Sequence, residues 1–169
     1  MTGDGNGTRI YVDSDACPVK EEVLRVARRH NLPVTMVGNS WMRQGHDPLV
    51  TSIVVPETPD AADDWIAERI GAADICITGD IPLAARCLEK GAAVLGHDGR
   101  PFTAEGIGMA LAMRDLNQHL RETGTLGAGG GRPFDKRDRS RFLDVMEITA
   151  RSKSSDPGTA RGTNGKPLR

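Results

Sequence analysis

The chain carries five short apolar runs rich in β-branched residues, and most of them alternate with stretches of helical period. The runs span residues 9–14, 34–37, 49–55, 74–78 and 92–95. Ile, Tyr and Val favour a pleated, buried strand. The helical stretches are expected over 18–31, 60–71, 81–90, from Thr103 to about Glu122, and over 136–150. Pro18 and Pro82 suit first helical turns, where a missing N–H has no intrahelical partner to lose. Asn31 and Gly91 can close their helices. Strands alternating with helices imply an α/β fold of three layers (αβα), with a mainly parallel sheet of about five strands covered on both faces. Residues 9–150 then form one domain, between a Gly-rich polar start (1–8) and a Ser/Gly/Pro-rich basic tail (151–169) without a core pattern.

Such a sheet places its strand C-termini on one edge, where open α/β sheets bind ligands. The first strand ends there in Asp13-Ser14-Asp15, the fourth in Thr78-Gly79-Asp80, and the third leads to Asp60, Asp63 and Asp64 at the start of a helix. Carboxylates packed this closely repel one another unless a cation offsets them. Hard oxygen ligands suit Mg²⁺ or Mn²⁺. Such an ion would activate water and stabilise charge on a phosphoryl group. We therefore expect metal ligands among Asp13, Asp15, Asp63, Asp64 and Asp80, with catalytic duties on Asp13, Asp15, Asp64 and Asp80. Asp63 and Asp64 point about 100° apart on a helix, so one should face the site and the other solvent or a supporting role. Asp60 reads most simply as a helix cap, and Asp80 suits a cap as well as a site.

Phosphate contacts are expected from Ser14, Thr78 and Arg43 and base stacking from Trp41, with Asn39 and Ser40 as further substrate-binding candidates on the same loop after the second strand. Ser14 and Thr78 also read as ordinary turn residues, and Trp41 as a lid or core plug. Residues 1–113 hold 10 Lys+Arg against 16 Asp+Glu, a net of −6, and residues 114–169 hold 12 against 7, a net of +5. This asymmetry suits an acidic site beside a phosphate-binding surface. Within the basic third, Arg137, Arg139 and Arg141 lie in RPFDKRDRSR and can neutralise a nucleic-acid backbone. The same run also reads as a solvated helix start capped by Asp135 or Asp138.

Three cysteines, Cys17, Cys76 and Cys87, form no CxxC and leave an odd one out. This argues against a disulfide framework or structural zinc, and for a reducing cytoplasm. Cys17 reads as a packed thiol rather than a nucleophile, and His46 and His97 receive no role. No signal pattern and no apolar run of membrane-spanning length is present, so no membrane partner is expected.

DSDACPVK, GNSW, PDAADDWI, ITGDIPLA and RPFDKRDRSRFL, in this order, resemble the YaiI/YqxD family of uncharacterised bacterial proteins. That family looks related to the PIN-like nuclease superfamily. The resemblance implies a PIN-like sheet and clustered aspartates holding Mg²⁺ or Mn²⁺ to cut RNA or DNA. It implies metal roles for Asp13, Asp15, Asp63 or Asp64, and Asp80. Where the family usually shows DADACP, this chain has Ser14. Two other classes stay open: a phosphatase like the haloacid dehalogenases, with Asp13 as nucleophile, and a non-catalytic RNA-binding module.

Overall fold

A computed structural model describes residues 7–40, 47–124 and 133–155. The expectations for Trp41, Arg43, His46, the 125–131 link, the first six residues and the tail beyond 155 lie outside the described residues. The elements run β1 (Ile10–Asp13), α1 (Lys20–His30), β2 (Val34–Gly38), β3 (Val50–Val54), α2 (Ala61–Arg69), β4 (Ile75–Ile77), α3 (Ile81–Glu89), β5 (Ala93–Leu95), β6 (Pro101–Phe102), α4 (Ile107–Glu122) and α5 (Lys136–Ser155). They form an α/β fold with one mainly parallel sheet in the order β3-β2-β1-β4-β5-β6. β1 to β5 are parallel, and β6 returns antiparallel beside β5.

Period-two burial sorts the sheet residues between two cores. Ile10, Val12, Val34, Met36, Ile75 and Ile77 face α1 and α5, together with Val23, Val26, Phe142 and Met146. Tyr11, Val37, Cys76 and Val94 face α2 and α3, together with Ile66, Ile70, Leu83 and Cys87. α4 packs outside α3. The chain steps outward from β1 to β3 and then returns to the other side of β1 with β4. That reversal opens a crevice between the C-terminal ends of β1 and β4.

Two local expectations need correction, and α4 differs from the other helices in its exposure. β6 is a sixth strand that two residues, Pro101 and Phe102, were too few to announce. α5 continues to Ser155, so residues 151–155 are helical rather than tail. The apolar side of α4 is not buried. None of its residues is, and Met109 is 70% exposed. Among the described residues, no helix is long and apolar enough to cross a membrane.

Candidate active site

β1 carries Asp13 to the crevice, and the turn after it sets the next two side chains. Ser14 sends both its amide N–H and its hydroxyl to the Val37 carbonyl, at 2.9 and 3.0 Å. Ala16 then takes a left-handed φ of 60°, unusual for a residue with a Cβ, and reverses the chain into α1. Asp15 lies against the end of β2, where its Oδ2 accepts the Asn39 amide at 3.0 Å. This approach requires glycine at position 38, because a Cβ there would lie 2.5 Å from Ser14 Oγ and 2.8 Å from Asp15 Oδ1.

Thr78, at the end of β4, joins the two halves of the crevice. Its hydroxyl donates to Asp13 Oδ2 and accepts the Asp80 amide, each at 2.9 Å. With its one proton given to Asp13, a lone pair remains for Asp80 N–H, so the hydroxyl rotor is fixed. Asp80 caps α3 by accepting Leu83 N–H at 3.0 Å through Oδ1. Asp80 therefore caps a helix and also lines the crevice.

α2 contributes the fourth carboxylate. Asp63 lies three and four residues before Ile66 and Ala67, both buried, so it shares their face. Asp64 points away and pairs with Arg86 at 2.7 Å on an exposed surface. Asp60 occupies the helix-start position but makes no side-chain cap bond.

The result is a cleft of about 300 Å³ lined by Asp13, Asp15, Asp63 and Asp80, by Asn39, and by the Pro56-Glu57-Thr58-Pro59 connection. Among the described residues, no lysine or arginine is on its wall. Burial pushes the Asp13 carboxyl up, and Asp80 and Asp15 add to this against the Thr78 hydrogen bond. The Asp63 carboxyl is pushed up to about 7 by burial, then by facing Asp80, Asp13 and Asp60, with Arg86 the opposing influence. Glu57 was not foreseen. The signal was available, because it lies three residues beyond β3 between two prolines, on the same sheet edge.

The remaining expected residues are placed otherwise. Ser14 and Thr78 are 1% and 0% exposed, so they brace carboxylates or strands from inside rather than face an incoming phosphate. Ser40 is exposed beyond β2. Arg139 donates to Glu22 at 3.0 Å and to the Pro18 carbonyl at 2.9 Å, fastening α5 to the start of α1. Arg141 pairs with Asp138 at 3.6 Å, while Arg137 is exposed on α5. Asp135 and Asp138 cap α5 reciprocally, each side chain accepting the other's amide at 3.0 Å. Burial raises the Cys17 thiol, consistent with a packed rather than reactive group.

Carboxylates drawn from three separate segments, at the switch point of a doubly wound sheet, define an α/β protein with an acidic ligand cleft. The chain belongs to the family described as "Uncharacterized BCR, YaiI/YqxD family", whose pattern matches residues 11–151. It is 66% identical to a UPF0178 protein of Parvibaculum lavamentivorans over 145 residues, 86% of this chain and 95% of that one. A UPF0178 protein of Paramagnetospirillum magneticum is 60% identical over 83% of this chain and 92% of its own. One of Rhizobium etli is 52% identical over 94% and 99%. No solved structure matches the chain.

A divalent ion meets one test here and misses another. The donors are all oxygen, and among the described residues their mutual repulsion has no lysine or arginine beside it on the cleft wall. Yet among the described residues no three His, Cys, Asp or Glu side chains are grouped closely enough to hold a metal ion. Three of the cleft carboxylates each have one oxygen already engaged, with Thr78, Asn39 and Leu83 respectively.

Proposed function

We propose that this protein is a metal-dependent phosphodiesterase of PIN-like type that cuts nucleic acid, with RNA as the favoured substrate. The observation that carries this reading is unmet charge: Asp13, Asp15, Asp63 and Asp80 line one cleft whose wall, among the described residues, has no lysine or arginine. Asp13, Asp63 and Asp80 would hold Mg²⁺ or Mn²⁺, with Asp15 closing from the β1–α1 turn. When bound, the ion supplies water activation and charge stabilisation at a phosphoryl group. The chain's own residues orient that chemistry. Thr78 holds Asp13 toward the cleft, the α3 cap fixes Asp80, and Asn39 steadies Asp15.

A phosphatase route through an Asp13 aspartyl-phosphate finds less support. Among the described residues, the cleft wall has no lysine or arginine to bind the transferred phosphoryl oxygens.

The test is cleavage of single-stranded RNA in Mn²⁺. Asp13→Asn is expected to lower it by at least about 100-fold with the circular dichroism spectrum unchanged. Wild-type protein that stays inert on RNA and DNA with both Mg²⁺ and Mn²⁺ would overturn the reading.

A further inference from the structure

A cleft walled by carboxylates cannot by itself hold a polyanion, so cations must lie beside it. Most arginines near this edge are already engaged. Arg86 is paired with Asp64, Arg139 with Glu22, Arg141 with Asp138 and Arg100 with Asp98. The exception with a cavity attached lies between α3 and α4. There a groove of about 410 Å³ is lined by Ile81 on α3 and by Met113, Arg114, Asn117, Gln118 and Arg121 on α4.

Ile81 directly follows Asp80, so the start of α3 is a wall shared by the groove and the acidic cleft. Arg114, Asn117, Gln118 and Arg121 fall at i, i+3, i+4 and i+7, a single face of α4. The two arginines are about 10.5 Å apart along the axis at ~1.5 Å per residue. Among the described residues Arg121 has no acidic partner. Arg114 touches only its exposed neighbour Asp115, at 3.6 Å. The groove thus offers two cationic forks, two amides able to bond phosphate or base edges, and an apolar contact at Met113.

We infer that the α3–α4 groove carries the backbone of a single-stranded nucleic acid whose reacting phosphodiester lies in the aspartate cleft. This rests on the nuclease reading and adds the path of the substrate to it. The volume suits one strand rather than a duplex. The occupant is identified by its chemistry, a flexible polyanion with exposed base edges.

The experiment is fluorescence anisotropy of a labelled single-stranded RNA with the full chain in EDTA, followed by Mn²⁺ kinetics. Arg114→Glu/Arg121→Glu is expected to raise Kd about tenfold at moderate salt. It should also shrink the slope of log K against log salt by about 1.4, at ~0.7 per lost phosphate contact on a single strand. Arg25→Glu, an exposed site on α1 lining neither cavity, should bind as wild type. Matching circular dichroism and urea midpoints establish that the charge-reversed protein is folded. If the wild type binds and cleaves while the reversed protein keeps its Kd, salt slope and KM, the groove inference falls and the nuclease reading stands. If reversal abolishes binding but Mn²⁺ never yields cleavage, the groove stands and the nuclease reading falls. A wild type that binds no RNA or single-stranded DNA overturns both.

Discussion

Two acidic positions at opposite ends of β4 have opposite characters. At the N-terminal edge, Asp74 is 8% exposed, and its two carboxylate oxygens accept the amides of Arg9 and Gly71 at 3.0 and 2.8 Å. It ties the start of β1 to the connection leaving α2. At the C-terminal edge, Asp63 is half-buried, makes no hydrogen bond or ion pair among the described residues, and faces other carboxylates. A buried acid is therefore not by itself a mark of function. Charge whose needs the fold has not met is the better mark.

This contrast can be broken experimentally. The largest effect should come from Asp74→Ala, which strands two partly buried amides. Urea unfolding should report a loss of about 3–4 kcal/mol, and cleavage by the remaining folded protein should persist. Next is metal. Mn²⁺ at about 100-fold over its Kd should stabilise the wild type and Asp74→Ala by about 2.7 kcal/mol, and Asp13→Asn by far less, measured as the shift in thermal midpoint. An equal shift in all three would erase the distinction between the two edges.

Asp63 gives a smaller and signed effect. Its folded carboxyl is raised from 3.8 to about 7, so the native state keeps a proton that the unfolded chain has lost in between. In EDTA, stability should fall as pH rises from about 4 to 7, by about 1–2 kcal/mol once solvent screening of a half-buried group is allowed for. Asp63→Asn should lack that fall, and a wild-type curve flat over this window would contradict the assigned repulsion. The smallest effect belongs to Arg86→Ala. Its exposed pair with Asp64 is worth about 0.5 kcal/mol or less in urea unfolding, but its loss should move the Asp63 titration, followed by NMR, further upward.

Much of the fold was legible because burial and β-branching coincide in the central strands: Ile10, Val12, Ile75 and Ile77 are all fully buried. The convergence of Asp13, Asp15 and Asp80 followed from parallel topology alone. The choice between Asp63 and Asp64 was within reach too, since the buried Ile66 and Ile70 set the phase of α2. What a linear pattern could not carry was the identity of partners. The apolar spacing along α4 describes an amphipathic helix but not whether anything covers it, and Met109, Met113 and Leu116 remain exposed. Likewise Arg139 and Arg141 read as free cations, yet Arg139 pairs with Glu22 where α5 docks on α1 and Arg141 pairs with Asp138 one turn earlier on α5.

The docking of α5 has a consequence for biosynthesis. Phe142, Met146 and Ala150 seal the core over α1 and the sheet, and Gly99 fits so closely beneath the helix that an added Cβ would lie 2.8 Å from the Phe142 nitrogen. While the ribosome is still translating these codons, the nascent polypeptide has that side of its sheet covered by α1 alone, and the rest is open to chaperones or proteases. Native packing on that side is thus a late event, completed only after the final helix has cleared the exit tunnel.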